Sequence, residues 1–347
     1  MSNPYTLTFG QPPTEIIHRG SQIERIISDF SSDSPSNYIN LITGIRGSGK
    51  TVFLTETANR LKERDEWIVI DLNPQRDLLT SLAAKLNSNR QLNSIFRAAE
   101  INLEFFGIGV GIKTAPPVTD IEEALSRMLE SVKTKGKRIL VTIDEVTNSK
   151  EMRIFASAFQ IFLRKRLPIF LLMTGLYKNI NSLRNADGMT FLERAPRTVL
   201  NPLDFGLMVH RYMDTLNTGE DIANKLAAAT RGYSFAFQTI GYFYYEKCPD
   251  LNMAFSEAKE YLFEFAYNKI WSELSGKDKD VLIAVAQEPT GKVADIRKLL
   301  NYTNDQFNPY RDRLVKAGIL ISSRPGIVEW ALPYFDEFTI KMNRSLW

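Results

Sequence analysis

The chain has 347 residues, 44% of them hydrophobic and 24% charged, with 43 Lys and Arg against 40 Asp and Glu for a formal net charge of +3. That length exceeds what one core usually fills, so two or three domains are expected, and a charge this close to balance does not demand nucleic acid as a partner. The single cysteine, Cys248, excludes an internal disulfide and suits a reducing compartment.

Residues 1–13 read as an irregular lead-in. Ile23, Ile26, Ile27 and Phe30 have helical spacing, so a helix is expected over 21–30, followed by a Ser/Asp/Pro loop over 31–36. A short apolar run over 38–43 precedes a glycine-rich loop and reads as a buried strand, with a helix from 50 to about 64. A strand over 67–72 and a helix over 78–86 come next, then a small glycine-rich hairpin over 105–112. Asp120 opens a helix that ends near Gly136. A strongly apolar strand covers 138–146 and ends in acids; a helix follows over 151–166, a strand over 167–176 and a last strand over 198–203. Strands alternating with helices of this length predict an α/β fold, a parallel sheet with helices on both faces.

After Pro202 the pattern turns nearly all helical, over 204–216, 220–230, 234–247 and 253–274. Helices over 277–287, 293–300 and 304–317, then strands over 319–322 and 328–332, give the order of a winged helix-turn-helix. The expected domains are therefore a core over 1–203, an all-α lid over 204–274 and a winged-helix domain over 275–347. Residues 1–11 lack a secretory leader pattern, and the most apolar segment is far short of the ~20 residues that span a membrane. A cytoplasmic protein without a membrane partner is expected.

Gly44-Ile45-Arg46-Gly47-Ser48-Gly49-Lys50-Thr51 has the spacing of a phosphate-binding loop, and it lies between a predicted strand and a predicted helix. Glycines let backbone donors approach phosphate oxygens closely and adopt positive φ, and the helix N-terminus favours an anion. The motif assigns Lys50 to the β- and γ-phosphates of ATP and the Thr51 hydroxyl to Mg²⁺, with Val52 continuing the nucleotide contact. In Ile139-Leu140-Val141-Thr142-Ile143-Asp144-Glu145 the strand ends in two carboxylates. Asp144 is expected to hold Mg²⁺ and Glu145 to activate the attacking water as general base. A guanine-reading Asn-Lys-x-Asp is absent from the sequence, which argues against a GTPase.

This order of motifs resembles the AAA+ superfamily, more narrowly its initiator-like and STAND-related branch, which includes archaeal and bacterial ATPase-domain proteins. The resemblance runs from about Pro12 to Phe338. It implies that Arg19, in Arg19-Gly20-Ser21-Gln22-Ile23-Glu24, packs near the adenine. It also implies that Thr174 is the polar residue that senses the γ-phosphate and the water. Thr230-Arg231-Gly232-Tyr233-Ser234-Phe235 resembles the start of the lid helix. Phe235 stands about where initiators carry an arginine, which weakens a sensor role at that helix and leaves Arg231 as a candidate substitute, and Arg194 and Arg197 lie where relatives carry arginines that reach a nucleotide. The implied activity is a slow ATPase switch that responds to ATP and ADP and acts on a protein partner. The alternative is a DNA-binding initiator or transposition helper. Arg311, Arg313 and Lys316 on the predicted recognition helix are diluted by Asp305 and Asp312, so only weak contact with double-stranded DNA is expected. A nucleotide-dependent homo-oligomer stays open.

Overall fold

The computed structural model describes residues 2–8, 13–99, 101–108, 118–248 and 250–344. They fall into two compact units. The first to be described comprises Gly20–Thr43 and Lys50–Val199. Its strands are β1 (Ile39–Thr43), β2 (Trp67–Leu72), β3 (Arg138–Ile143), β4 (Ile169–Gly175) and β5 (Arg197–Val199). They form one parallel sheet in the order β2-β3-β4-β1-β5. Every residue of β1 and β4 is buried, as expected of parallel strands covered on both faces, whose sequences read as continuous apolar runs.

The helices of this unit are α1 (Gly20–Ser31), α2 (Lys50–Lys62), α3 (Leu78–Ser88), α4 (Arg90–Ala98), α5 (Ile121–Thr134), α6 (Lys150–Arg164), α7 (Tyr177–Arg184) and α8 (Thr190–Glu193). Side-chain caps set several starts: Asp77 accepts from Leu79 and Thr80, Asn89 from Gln91, Asp120 from Glu122 and Glu123, and Ser149 from Met152. Each satisfies a helix N–H that has no partner within its own helix. The sheet agrees with the sequence reading, and its ends differ. β3 stops at Ile143 because Glu145 takes a left-handed φ of 54°. β5 has only three residues. Helices α4, α7 and α8 have no counterpart in the sequence reading. The start of the expected hairpin is instead a 3-10 turn, Glu104–Phe106, and residues 109–112 lie outside the described residues.

The other unit comprises Met1–Arg19, Gly44–Gly49 and Leu200–Trp347. Its helices begin with α9 (Phe205–Leu216), α10 (Glu220–Thr230), α11 (Ser234–Lys247) and α12 (Leu251–Leu262). A π-helical turn, Phe263–Tyr267, joins α12 to α13 (Asn268–Ser272) and interrupts what the sequence predicts as one helix. Then come α14 (Gly276–Gln287), α15 (Val293–Leu300), α16 (Asn304–Lys316), the antiparallel ribbon β6 (Leu320–Arg324) and β7 (Ile327–Trp330), and α17 (Phe335–Arg344), which is additional to the expected elements. Ser275 with Asp278 and Thr303 with Gln306 form capping boxes at α14 and α16. One hydrophobic core runs from Tyr5 and Ile17 through Tyr212 and Phe237 to Phe307 and Phe335. The helices after Leu200 and the C-terminal ribbon therefore share a single core. Among the described residues no helix is long and apolar enough to cross a membrane.

Candidate functional site

In the sheet unit, the carboxyl ends of β3 and β4 meet the start of α2 at one carboxylate. Asp144 Oδ2 accepts from the Thr51 hydroxyl at 2.6 Å, and Asp144 Oδ1 accepts from the Thr174 hydroxyl. The Glu145 N–H donates to Thr174 Oγ1 at 3.1 Å and to Asp144 Oδ1 at 3.0 Å. Thr174 is fully buried, and Lys50 is buried at the first position of α2. The next N–H, of Val146, donates to the Thr174 carbonyl at 2.8 Å. These bonds hold Glu145 in its left-handed turn, a conformation that costs a non-glycine residue about 1–2 kcal/mol, and they leave its side chain exposed beyond the strand end. Strain of this kind is characteristic of working sites.

The donor set fits Mg²⁺. Thr51 Oγ1 and Asp144 Oδ2 lie 2.6 Å apart, near the roughly 2.9 Å that separates neighbouring oxygens of an octahedron with Mg–O of 2.0–2.1 Å. Mg²⁺ is usually held by one or two carboxylates together with waters and substrate phosphates, not by a protein cage.

The loop Gly44–Gly49 belongs to the other unit, where three consecutive carbonyls accept from three consecutive residues at the start of α11. Tyr233 Oη donates to the Arg46 carbonyl at 2.7 Å, the Phe235 N–H to that of Gly47 at 3.1 Å, and Ser234 Oγ to that of Ser48 at 3.0 Å. The helix thus holds the loop by its carbonyls, and none of these bonds takes a loop amide. Gly47 has φ 76°, and a Cβ there would collide with the Tyr233 hydroxyl and lie 2.9 Å from Phe235 Cβ, so glycine is required for both conformation and space. Ser48 Oγ is buried and has no hydrogen-bond partner among the described residues; a buried polar atom in that condition is one a ligand can satisfy. Burial pushes the Tyr233 phenol well above its ordinary pKa, so it remains a donor throughout the neutral range.

Arg19 lies beside the same loop. Its Nη2 donates to Ser234 Oγ at 3.1 Å and its Nε to the Asn201 carbonyl at 3.0 Å, while Nη1 is 3.3 Å from where a Cβ on Gly49 would stand. Ile45 and Arg46 point elsewhere. Ile45 Cβ lies 3.6 Å from the Cβ position of Gly318, and Arg46 pairs with Glu273 at 3.4 Å. Arg231, the expected substitute for a lid arginine, instead donates to the Trp330 carbonyl at 2.8 Å from a left-handed backbone. In the sheet unit Arg197 lies over the Tyr177 ring at 5.6 Å, and Arg194 is exposed just after α8. The sequence missed the Tyr233 and Ser234 contacts; the only signal available was the position of both residues at a predicted helix start.

Residues 19–165 match a family model described as an ATPase domain predominantly from Archaea, and residues 264–339 match a domain of unknown function. No curated protein matches the chain. Among solved structures, the Walker-type ATPase PABY2304 of Pyrococcus abyssi aligns with a TM-score of 0.66 at 15% identity, over 94% of this chain and 96% of that one. The Aeropyrum pernix ORC2 protein, solved as ADPNP-ADP complexes, aligns with a TM-score of 0.59 at 13% identity, over 98% and 97%. With its parallel five-stranded sheet, the chain has the fold of an ORC-like P-loop ATPase, and residues 19–165 match the ATPase-domain family.

Proposed function

We propose that this chain is a slow AAA+ ATPase that works as a switch, coupling its nucleotide state to a protein partner through the helices after Leu200. The observation that carries the reading is the grip of Tyr233, Ser234 and Phe235 on three successive carbonyls of the phosphate loop. A peptide that tilts its N–H toward a phosphate tilts its carbonyl too, so a change at the loop is felt at the start of α11.

In this reading the loop amides and Lys50 bind the phosphates of ATP. Thr51 and Asp144 would hold Mg²⁺, which when bound would supply neutralisation of the phosphate charge. Glu145 takes the proton from the attacking water, and Thr174 keeps the Asp144 carboxylate and the Glu145 N–H in register. The test measures phosphate release from ATP together with hydrogen exchange over residues 230–240, in ADP and in a slowly hydrolysed ATP analogue. Release with different protection in the two nucleotides is expected. Absence of release, or identical protection, would remove the switch.

The C-terminal helices and ribbon are read as a winged helix that reports this state and does not read DNA. In support, Arg313 gives two bonds to Asp278, at 2.9 and 2.5 Å, Arg311 pairs with Asp312 at 2.9 Å, and Lys298 with Asp295 at 2.8 Å. Cations already committed to carboxylates have little left to offer a phosphate. Native mass with and without the ATP analogue tests whether a nucleotide-dependent homo-oligomer forms.

A further inference from the structure

We propose that the amino-terminal edge of the sheet, where the turns entering β3 and β4 lie side by side, binds the phosphate backbone of a nucleic-acid duplex. The first turn carries Lys133, Lys135, Lys137 and Arg138, the second Arg164, Lys165 and Arg166, and neither contains an acid. The strands are paired here: Ile139 is in register with Ile169, and the Ile139 N–H donates to the Pro168 carbonyl at 2.8 Å. The seven cations therefore share one small surface. It is at the opposite ends of β3 and β4 from Asp144 and Thr174.

Three of the seven are occupied within the protein. Lys137 donates to the Asp65 carbonyl, Arg138 to the carbonyls of Phe30 and Ser32, and Lys165 to Ser126 Oγ, with Glu123 at 3.8 Å. Lys133, Lys135, Arg164 and Arg166 are exposed. Acids border this surface: Glu123 is 3.8 Å from Lys165, the carbonyls of Asp65 and Glu66 accept from Lys137 and from the Arg138 N–H, and Glu130 lies on α5.

The backbone supplies an independent observation. Both helices end in the same turn. Gly136 N–H bonds to Lys133 O and Lys137 N–H to Val132 O; likewise Arg166 N–H bonds to Leu163 O and Leu167 N–H to Phe162 O. The pivot is left-handed each time, φ 65° at Gly136 and 52° at Arg166. Glycine suits that position, yet the second turn carries an arginine, in a conformation that disfavours it. Cations in the last turn of a helix complement its dipole, which accounts for Lys133 and Arg164; Arg166 lies beyond the helix.

The chemistry of the surface selects the partner. Protein interfaces are centred on buried apolar and aromatic anchors, and membrane-surface elements insert apolar side chains. No exposed large apolar residue occurs in either turn among the described residues. A polar surface whose two turns carry cations and no acid suits the duplex backbone, where phosphate neutralisation supplies the affinity.

Fluorescence anisotropy of the full-length chain with a labelled random duplex, over a series of salt concentrations, tests this. Four phosphate contacts predict a log–log salt slope of about −3 to −4. Arg166→Gly should lower the magnitude of that slope by about 1 and weaken binding several-fold while raising Tm, since glycine relieves the turn. Opposite signs of these two effects separate a contact from a folding defect. A Lys135→Glu, Arg164→Glu, Arg166→Glu variant should weaken binding at least about 30-fold, several cations being removed from a salt-dependent site, and leave ATP affinity unchanged. Arg311→Ala with Lys316→Ala should leave duplex binding at the parent level. Lys50→Ala should also bind duplex as the parent does, which separates this surface from the nucleotide reading. Absence of duplex binding at low salt, binding unaffected by the triple variant, or capture of phosphatidylserine vesicles in place of duplex would each overturn the proposal.

Discussion

Replacing Thr174 by Val keeps the shape of a fully buried residue and deletes its hydroxyl. The hydroxyl donates to Asp144 Oδ1 and accepts the Glu145 N–H at 3.1 Å. A hydrogen bond to a charged group contributes about 1.5–3 kcal/mol, and the extra buried methyl returns about 0.8. Asp144 Oδ1 keeps the Glu145 N–H at 3.0 Å, so it is not orphaned. The net destabilisation should be about 1–2 kcal/mol, a Tm decrease of roughly 2–8 °C for a unit of this size. Turnover should fall much further, about 10²-fold, because Asp144 and Glu145 lose their common anchor and small misplacements at a reacting centre carry penalties of that order. ATP affinity should stay within about threefold, since the Thr174 hydroxyl bonds to Asp144 and the Glu145 N–H and to none of the loop amides proposed to bind phosphate. Thr174→Ser is the control: it restores the hydroxyl and loses a buried methyl, about 1 kcal/mol. The two variants should melt alike and differ by about 10²-fold in phosphate release. Equal turnover in Val and Ser variants would refute the reasoning.

Lys50→Ala should weaken ATP binding by about 2–3 kcal/mol, the scale of a charge-assisted bond to phosphate; calorimetry reads this directly, and unchanged affinity would remove the phosphate-loop assignment. Glu145→Gln should bind ATP normally and hydrolyse it at least about 10²-fold more slowly. Glu145→Gly should be as slow and yet more stable by about 0.5–1 kcal/mol, since the left-handed penalty of about 1–2 exceeds the entropy that glycine costs; thermal melting beside the turnover assay separates the two roles of this position. Tyr233→Phe removes the donor to the Arg46 carbonyl and keeps the ring, which costs about 1 kcal/mol. Nucleotide release should become about fivefold faster, equally from pH 6 to 9, because burial pushes the phenol pKa well above its ordinary value. A pH-dependent difference across that range would reject the bond as its origin.

The parts of the fold that the sequence revealed are those encoded locally. The loop Gly44–Thr51 needs only glycines, a lysine and a hydroxyl in order, and β3 is announced by its apolar run and terminal acids. Thr174 was identified only through the family resemblance, which implies a polar residue at the end of that strand. Helices α4 and α7 are short and polar, with few buried positions to set a period, and the π turn conserves the apolar spacing it interrupts. What stayed hidden depends on long-range contact. Tyr233 and Arg46 are 187 positions apart, and no spacing rule links them. Arg231 sits where a charge could reach a ligand, but its left-handed backbone carries the guanidinium to Trp330. The strain at Glu145 was hidden too, because its cause is a neighbouring strand's hydroxyl and not its own sequence.

The relative strengths of the contacts at the phosphate loop indicate how a switch built on it would work. The Arg46–Glu273 pair is at 3.4 Å with side chains 38% and 22% exposed, and a partly solvated pair of that kind contributes about 0–1 kcal/mol. The three bonds from Tyr233, Ser234 and Phe235 contribute about 0.5–1.5 kcal/mol each, so together they outweigh the ion pair. Their sum, on the order of 2–4 kcal/mol, overlaps the coupling energies of 1–3 kcal/mol typical between linked sites. It is too small to hold the loop in one arrangement against a tightly bound ligand. It is large enough that a ligand preferring another arrangement would shift the population of α11 by a factor of tens to hundreds. Tyr233 also stacks on Tyr267 at 6.5 Å, and Tyr267 donates to the Pro333 carbonyl at 2.7 Å from within the π turn. In the proposed switch a displacement of α11 would reach α17 through two aromatic rings and one hydrogen bond, all within the core that the helices after Leu200 and the C-terminal elements share.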